Sequence, residues 1–235
     1  MVKIDITKDS HQTFFEETQC VEVAVKEGVN ASLLFCAGGE MSLKAVLQKD
    51  ATLRIQIVDV AKGDCAKEIE VEYMGQGAEC EVQGIVIASE SQTKSVVSNA
   101  RHRVANCISR QNFRAIAAQR AVSRFRGLID VAKGADGTNA LQQSDNVVLS
   151  DTAKAYADPQ MLIYADDVKC NHGATVGKRD DGALFYMKQR GISEKDALGL
   201  LLESFCYGEL HLGAYDEATQ ERVRLIISQA IERTF

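Results

Sequence analysis

The sequence contains a single proline, Pro159, no Asn-Gly pair, and no uninterrupted apolar run long enough to span a bilayer. The first two absences argue against a meander of tight antiparallel hairpins, and the third argues against a transmembrane helix. The first ten residues are mixed and polar, so they lack the basic and apolar segments of a signal peptide. We therefore expect a cytoplasmic protein that does not associate with membranes.

Clustered positive charge is also scarce, because the chain of 235 residues has a net charge of −6. Residues 94–126 are rich in arginine, and as a helix they would place Arg110, Arg114 and Arg124 near one face. As strands, their apolar residues would alternate between two faces. Few aromatic residues interrupt the segment to stack bases, so we predict a solvated, charge-balancing surface and no nucleic-acid partner.

The seven cysteines include no Cys-x-x-Cys pair, which argues against a structural zinc site. An odd number of cysteines without a signal peptide is typical of reduced thiols in a cytoplasm. We predict that at least five of the seven are small buried hydrophobic residues.

Alternating apolar and polar residues predict that residues 1–178 consist of β-strands. The alternation is clear in four segments separated by turn residues: 21–25, 53–58, 68–73 and 79–87. A short repeat, in which an alanine follows a turn, recurs at Ala31, Ala51 and Ala78, and later at Ala153 and Ala174. Its first intervals, 20 and 27 residues, approach the length of one solenoid coil. We therefore favour a β-solenoid, with a β-sandwich as the alternative.

The remaining residues, 179–235, predict a small helical domain that follows this β domain. Three helices are expected, because apolar residues recur at helical spacing between residues of the types that begin and end helices. These boundary residues are Asp180 or Asp181, Gly191, Ser193, Gly208 and Asp216.

The segment CNHGATVG, residues 170–177, places Cys170 and His172 two positions apart, at the start of a glycine-containing stretch. On a strand both side chains would point to the same face. A thiolate and an imidazole suit zinc or iron, but two ligands do not complete a tetrahedral site, and no other Cys or His lies nearby in sequence. A Cys–His catalytic pair and a loop without chemistry are open alternatives at this point.

Other candidate groups are weaker. His102 and Cys107 are separated by an odd number of positions, which would place them on opposite faces of one strand. The adjacent carboxylates at 166–167 and 180–181 suit turns and helix caps better than the acid pair of a glycosidase. No Gly-Lys-Ser/Thr sequence follows the glycines near residue 175, so a nucleotide-binding P-loop is not expected.

Several segments resemble the SufB/SufD family, the scaffold subunits of the SUF iron–sulfur cluster assembly machine. YADDVKCNHGATVG (164–177) and ALFYMKQRGIS (183–193) resemble the family's C-terminal half. The family's core is similar to RHRVANCISR (101–110) and GLIDVAKGADGTNALQQSDNVVLSD (127–151), and its C-terminal helix is similar to ALGLLLESFCYGEL (197–210). The resemblance extends from about residue 75 to the end of the sequence.

This resemblance implies a right-handed parallel β-helix core, 1–178, followed by a small α-helical domain, 179–235. It also implies pairing with a SufB-type subunit, or with a second copy, through the β-helices. A SufC-type ABC ATPase would dock on the helical domain, and the residues implicated are Leu184, Phe185, Tyr186 and Arg190.

For the cluster, the resemblance implies a transient iron–sulfur cluster at the subunit interface and none held tightly by this chain alone. His172 takes the position of the family's interface histidine, and Cys170 is a second candidate ligand. SufB-type chains have His-Glu-Ala-Thr where this chain has His172-Gly173-Ala174-Thr175, and a cysteine where it has Ala153. Both differences favour the SufD branch.

We therefore predict a scaffold that is not an enzyme. One alternative is a left-handed β-helix acyltransferase with His172 as general base, which would require hexapeptide repeats that the sequence lacks. The other alternative is a purely structural dimerisation module in which Cys170 and His172 have no chemical role.

Overall fold

The computed structural model describes residues 1–17 and 19–235, which form a parallel β-solenoid followed by helices. Successive strands alternate between two sheets, so the odd-numbered strands form sheet A and the even-numbered strands form sheet B. The strands are β1 Val2–Ile6, β2 Ser10–Phe14, β3 Cys20–Val25, β4 Asn30–Phe35, β5 Met41–Leu47, β6 Thr52–Asp59, β7 Cys65–Tyr73, β8 Glu79–Ala88, β9 Thr93–His102, β10 Ile108–Ala117, β11 Val122–Val131, β12 Asn139–Val148, β13 Lys154–Ile163 and β14 Lys169–Lys178.

Every second residue of each strand points into the space between the two sheets, which explains the alternation in the sequence. One interior column runs across sheet B through Leu33, Ile55 and Val82, which are register partners in β4, β6 and β8. All three are almost completely buried. Burying an aliphatic side chain of this size contributes about 1.5–3 kcal/mol, so stacking of coils supplies most of the stabilisation.

The arginine-rich segment forms strands β9, β10 and β11 rather than a helix. Its charges are balanced across neighbouring strands of sheet A, where Arg101 lies 3.2 Å from Glu70 and 3.3 Å from Asp130. Arg114 on sheet B instead contacts the helical segment, donating to the carbonyl oxygen of Phe205 at 2.6 Å.

The alanine repeat is only partly correct as a measure of the coil. Ala51 and Ala78 do occupy equivalent positions, since each immediately precedes a strand of sheet B and the two strands pair in register. Ala31, however, pairs with Leu53, and Ala174 lies in the middle of β14. The reason is that strands lengthen from 5 residues in β1 to 10 in β14, so the coils do not share one period.

Three α-helices follow the last strand: α1 Asp181–Lys188, α2 Glu194–Tyr207 and α3 Glu217–Glu232, with a 3-10 turn at Leu212–Ala214. The predicted caps are confirmed, because the side chains of Asp180, Ser193 and Asp216 each accept a backbone hydrogen bond at the start of a helix. Gly191, with a φ of +84°, lies just beyond α1, in a conformation that favours glycine.

The helices pack on the outer face of sheet B. A single apolar cluster joins Val58, Ile85 and Ile116 of that face to buried residues of the helices such as Leu202 and Ile227. The outer face of sheet B is therefore partly covered by the chain's own helices. None of the helices in residues 1–17 and 19–235 has the length and apolar character needed to cross a bilayer.

Candidate metal site at the open end of the solenoid

The last coil of the solenoid, β13 and β14, leaves one edge of each sheet without a partner strand among the described residues. β13 pairs with β11 and β14 pairs with β12, and no described strand lies beyond them. Exposed apolar side chains accompany these edges: Tyr156, Leu162, Ile163, Tyr164 and Val176. Unpaired edges with apolar side chains are surfaces to which another chain can add.

Cys170 and His172 lie on the interior-facing side of β14. Their register partners in β12 are Ala140 and Gln142, both of which are buried inside the solenoid. Because nothing in the described chain covers β14 on its other side, Cys170 is half-buried and His172 is exposed. The two side chains therefore share a face, and that face opens at the end of the solenoid.

The two potential ligands differ in their readiness to bind a metal. Burial raises the pKa of the Cys170 thiol, and a backbone hydrogen bond at Ala140 opposes this only in part. The surroundings of Cys170 therefore favour the protonated thiol, and binding a metal as a thiolate would require the loss of that proton. The side chain of His172 makes no hydrogen bond or ion pair with residues 1–17 or 19–235, so its imidazole is free to bind a ligand.

No cluster of three or more His, Cys, Asp or Glu residues suited to holding a metal ion occurs among the described residues. Cys170 and His172 thus supply two donors, where a tetrahedral site requires four. Any metal centre at this end would need ligands from outside the described chain.

Beneath His172, the interior is lined with amides rather than aliphatic residues. The column that begins with Leu33, Ile55 and Val82 continues with Gln111 and Gln142, and ends at the histidine. The Gln142 amide nitrogen donates to the Gln111 oxygen at 3.1 Å. Sequence analysis did not identify these two residues, although the glutamine- and asparagine-rich stretch at 139–146 was the available signal.

The pair His102 and Cys107 is not separated as predicted. The chain turns between β9 and β10, so the two residues do not share a strand, and both are fully buried. The imidazole of His102 is hydrogen-bonded to Ser109 at 2.9 Å and stacked on Tyr73 at a centroid distance of 4.2 Å. Enclosed in this way, the pair has no access to a substrate.

The adjacent carboxylates have the structural roles expected of them. Residues 166–167 lie in a turn where their backbone N–H groups donate to the side chain of Asp136 at 3.2 and 3.3 Å. Asp180 caps α1.

The prediction that at least five of the seven cysteines are buried is confirmed. The five buried free thiols are Cys36, Cys65, Cys80, Cys107 and Cys206.

Of the four residues that the resemblance implicates in ATPase docking, Leu184, Phe185 and Tyr186 lie in helix α1 and Arg190 lies in the turn that follows it, and their exposure divides them into two groups. Leu184 is 5% exposed and anchors the helix in the apolar cluster on sheet B. Phe185 and Tyr186 are 64% and 58% exposed. The guanidinium carbon of Arg190 lies 4.2 Å from the Tyr186 ring centroid, a cation–π contact that orients both side chains at the surface.

Comparison with known proteins identifies the family. A model of the SUF system FeS cluster assembly SufBD core domain matches residues 40–205. The chain belongs to the SufB/SufD family. It is 32% identical over 157 residues to the iron–sulfur cluster assembly protein SufD of Escherichia coli, covering 67% of this chain and 37% of that one. It is 29% identical to a SufBD family protein of Synechocystis, in a match that covers 67% of this chain and 35% of that one. It is also 29% identical to SufD of Bacillus subtilis, in a match that covers 61% of this chain and 33% of that one.

The chain therefore spans about a third of the length of these SufB/SufD relatives. The matched region, 40–205, includes the open end of the solenoid, α1 and most of α2. The β-solenoid and the family predicted from the sequence are thus confirmed.

Proposed function

We propose that this chain is a SufD-like scaffold subunit on which an iron–sulfur cluster is assembled at the open end of the solenoid. The observation that carries the proposal is a pair of donors, half-buried Cys170 and exposed His172, on a coil whose edges have no partner strand among the described residues. Imidazole and thiolate are donors that suit iron. Iron and sulfide are the cargo of this site, and the scaffold itself is not an enzyme.

A second chain would supply the missing ligands. A SufB-type subunit is the proposed partner, because this chain has Gly173 after the histidine and Ala153 where SufB-type chains have a cysteine. Pairing at β13 and β14 would cover their exposed apolar side chains and bring donors of both subunits to one interface. Pairing with a second copy of this chain is the alternative within the same scheme.

A SufC-type ABC ATPase is the proposed second partner, and its docking surface is the exposed side of α1 together with Arg190 in the turn that follows. Phe185, Tyr186 and Arg190 form a small aromatic and cationic patch, and residues of these types dominate binding energy at interfaces. Leu184 supports this patch from beneath by holding α1 in the apolar cluster that joins the helices to sheet B.

Co-purification tests both partners. We expect the tagged chain, co-expressed with a SufB-type subunit and a SufC-type ATPase, to retain both. Phe185→Ala with Tyr186→Ala should release the ATPase and keep the SufB-type subunit. Leu200→Ala, which changes a 51% exposed apolar residue on α2, should release neither. Retention of the ATPase by the double variant would contradict the assignment of α1.

A structural dimerisation module is the second candidate, supported only by the edges of β13 and β14 that have no partner among the described strands. It predicts that His172→Ala preserves complex formation and leaves iron and sulfide loading unchanged. The scaffold proposal predicts preserved complex formation with loss of loading, so one variant separates the two functions.

A further inference from the structure

A ladder of buried amides runs along the interior of sheet B and stops one coil before His172. Gln111 Nε2 lies 3.5 Å from the carbonyl oxygen of Leu128, and Gln142 Nε2 donates to Gln111 Oε1 at 3.1 Å. Gln111 thus accepts a hydrogen bond from the coil that follows it. The same order of donation would have the Gln142 oxygen accept from β14.

The Gln142 oxygen has no such partner within the described chain. Gln142 is completely buried, and its Oε1 is among the buried side-chain atoms that make no hydrogen bond. A buried acceptor without a donor costs about 1–3 kcal/mol, which is why such atoms are nearly always paired. The amide also packs closely against Gly127, because a Cβ at that position would lie only 2.2 Å from Gln142 Nε2.

His172 is the register partner of Gln142 in β14. Paired strands lie about 4.8 Å apart, so the imidazole is within reach of the amide through side-chain rotation. A neutral imidazole carries one N–H donor and one nitrogen acceptor, and neither is hydrogen-bonded within residues 1–17 and 19–235. The unpaired acceptor and the free donor therefore belong to adjacent positions of one interior column.

We propose that Gln142 is a positioning residue: its Oε1 accepts the ring N–H of His172, fixes the tautomer, and directs the other ring nitrogen toward incoming iron. Metal-binding histidines commonly donate their second nitrogen to a carbonyl or carboxylate, and loss of that acceptor typically lowers metal affinity about 10–100-fold. This inference rests on the proposed function in so far as it makes His172 a ligand. The hydrogen bond itself can be tested without iron.

The test is the tautomer of His172 in the full chain labelled with 15N-histidine, read from the ring nitrogen chemical shifts at a pH where the imidazole is neutral. The chain has four histidines, and His172→Ala assigns the signal. We expect one dominant tautomer in the native chain and a redistribution toward two in Gln142→Met. An equal mixture in the native chain, or the same distribution in both proteins, would overturn the proposal.

Gln143→Met is the matched control, because it makes the same change at the next residue, whose side chain bonds Asp145 at 2.8 Å. It should preserve the native tautomer. In complex with a SufB-type subunit, Gln142→Met should lower iron affinity about 10–100-fold and Gln143→Met should not. If the His172→Ala complex binds iron and sulfide normally, the proposed function fails, and the tautomer measurement still tests the hydrogen bond between His172 and Gln142. If only His172→Ala loses loading, the role of Gln142 is refuted.

Discussion

His102 makes the stability of the protein depend on pH in a way that can be calculated. The imidazole is fully buried between Tyr73 and the strand that carries Ser109, and its Nδ1 has no hydrogen-bond partner. Burial lowers the pKa of His102 from the ordinary 6.5 to about 4, with Arg103 acting in the same direction and Asp130 opposing. The folded protein therefore keeps this residue neutral in a range where the unfolded chain binds a proton.

Between pH 6.5 and 4 the unfolded chain binds more protons at His102 than the folded protein does. The free energy of unfolding is therefore unaffected by this residue's protonation above pH 6.5, and it decreases as the pH falls toward 4. Each pH unit corresponds to about 1.4 kcal/mol, so the loss amounts to about 3 kcal/mol below pH 4. This is a large part of the 5–15 kcal/mol or so that is typical of a folded protein.

Urea unfolding of the native chain and of His102→Gln, at steps from pH 7.5 to 4, isolates this contribution. The difference in unfolding free energy between the two proteins should shift by about 3 kcal/mol over that range, in favour of the variant at low pH. His11→Gln, which removes an exposed imidazole, is the control for replacing a histidine elsewhere in the chain. A difference between the native chain and His102→Gln that stays constant across the pH range would refute the reasoning.

Three further predictions concern stability and reactivity. Lys94→Met should lower the free energy of unfolding, measured in urea, by about 3–5 kcal/mol. The reason is that it leaves the buried carboxylate of Asp59, 2.6 Å from Lys94 Nζ, without its cationic partner. Adding Asp59→Leu should restore most of that loss, and a single-variant cost below about 1 kcal/mol would contradict the estimate. Mass spectrometry after native thiol alkylation should find Cys20 and Cys170 modified and the buried cysteines protected; rapid modification of a buried thiol would contradict this. Ser193→Ala should cost about 1 kcal/mol through loss of the α2 cap, measured by thermal unfolding, and an unchanged midpoint would argue against it.

The features that sequence reasoning predicted correctly are local ones. Period-2 alternation identifies strands such as 53–58 and 79–87 because each side chain reports its own burial. The helix caps Ser193 and Asp216 are equally local, since the capping side chain bonds an N–H three residues away.

The features that sequence reasoning missed depend on pairing between distant residues. Residues 94–126 fit both a helix and strands until β9 and β11 are seen to stack on neighbouring coils. The amide ladder becomes visible only when the register places Gln142 between Gln111 and His172, each about one coil away. The burial of Leu184 likewise depends on the apolar cluster formed by residues of the helices and of sheet B, which no local pattern encodes.

The central claim is that the open end of the solenoid holds half of a cluster site and that His172 supplies a ligand. The most direct measurement is the iron and acid-labile sulfide bound after anaerobic loading of three samples. These are the chain alone, its complex with a SufB-type subunit and a SufC-type ATPase, and the same complex carrying His172→Ala. We predict bound iron and sulfide in the native complex, and little in the chain alone or the variant complex. Equal loading of the native and variant complexes would contradict the account.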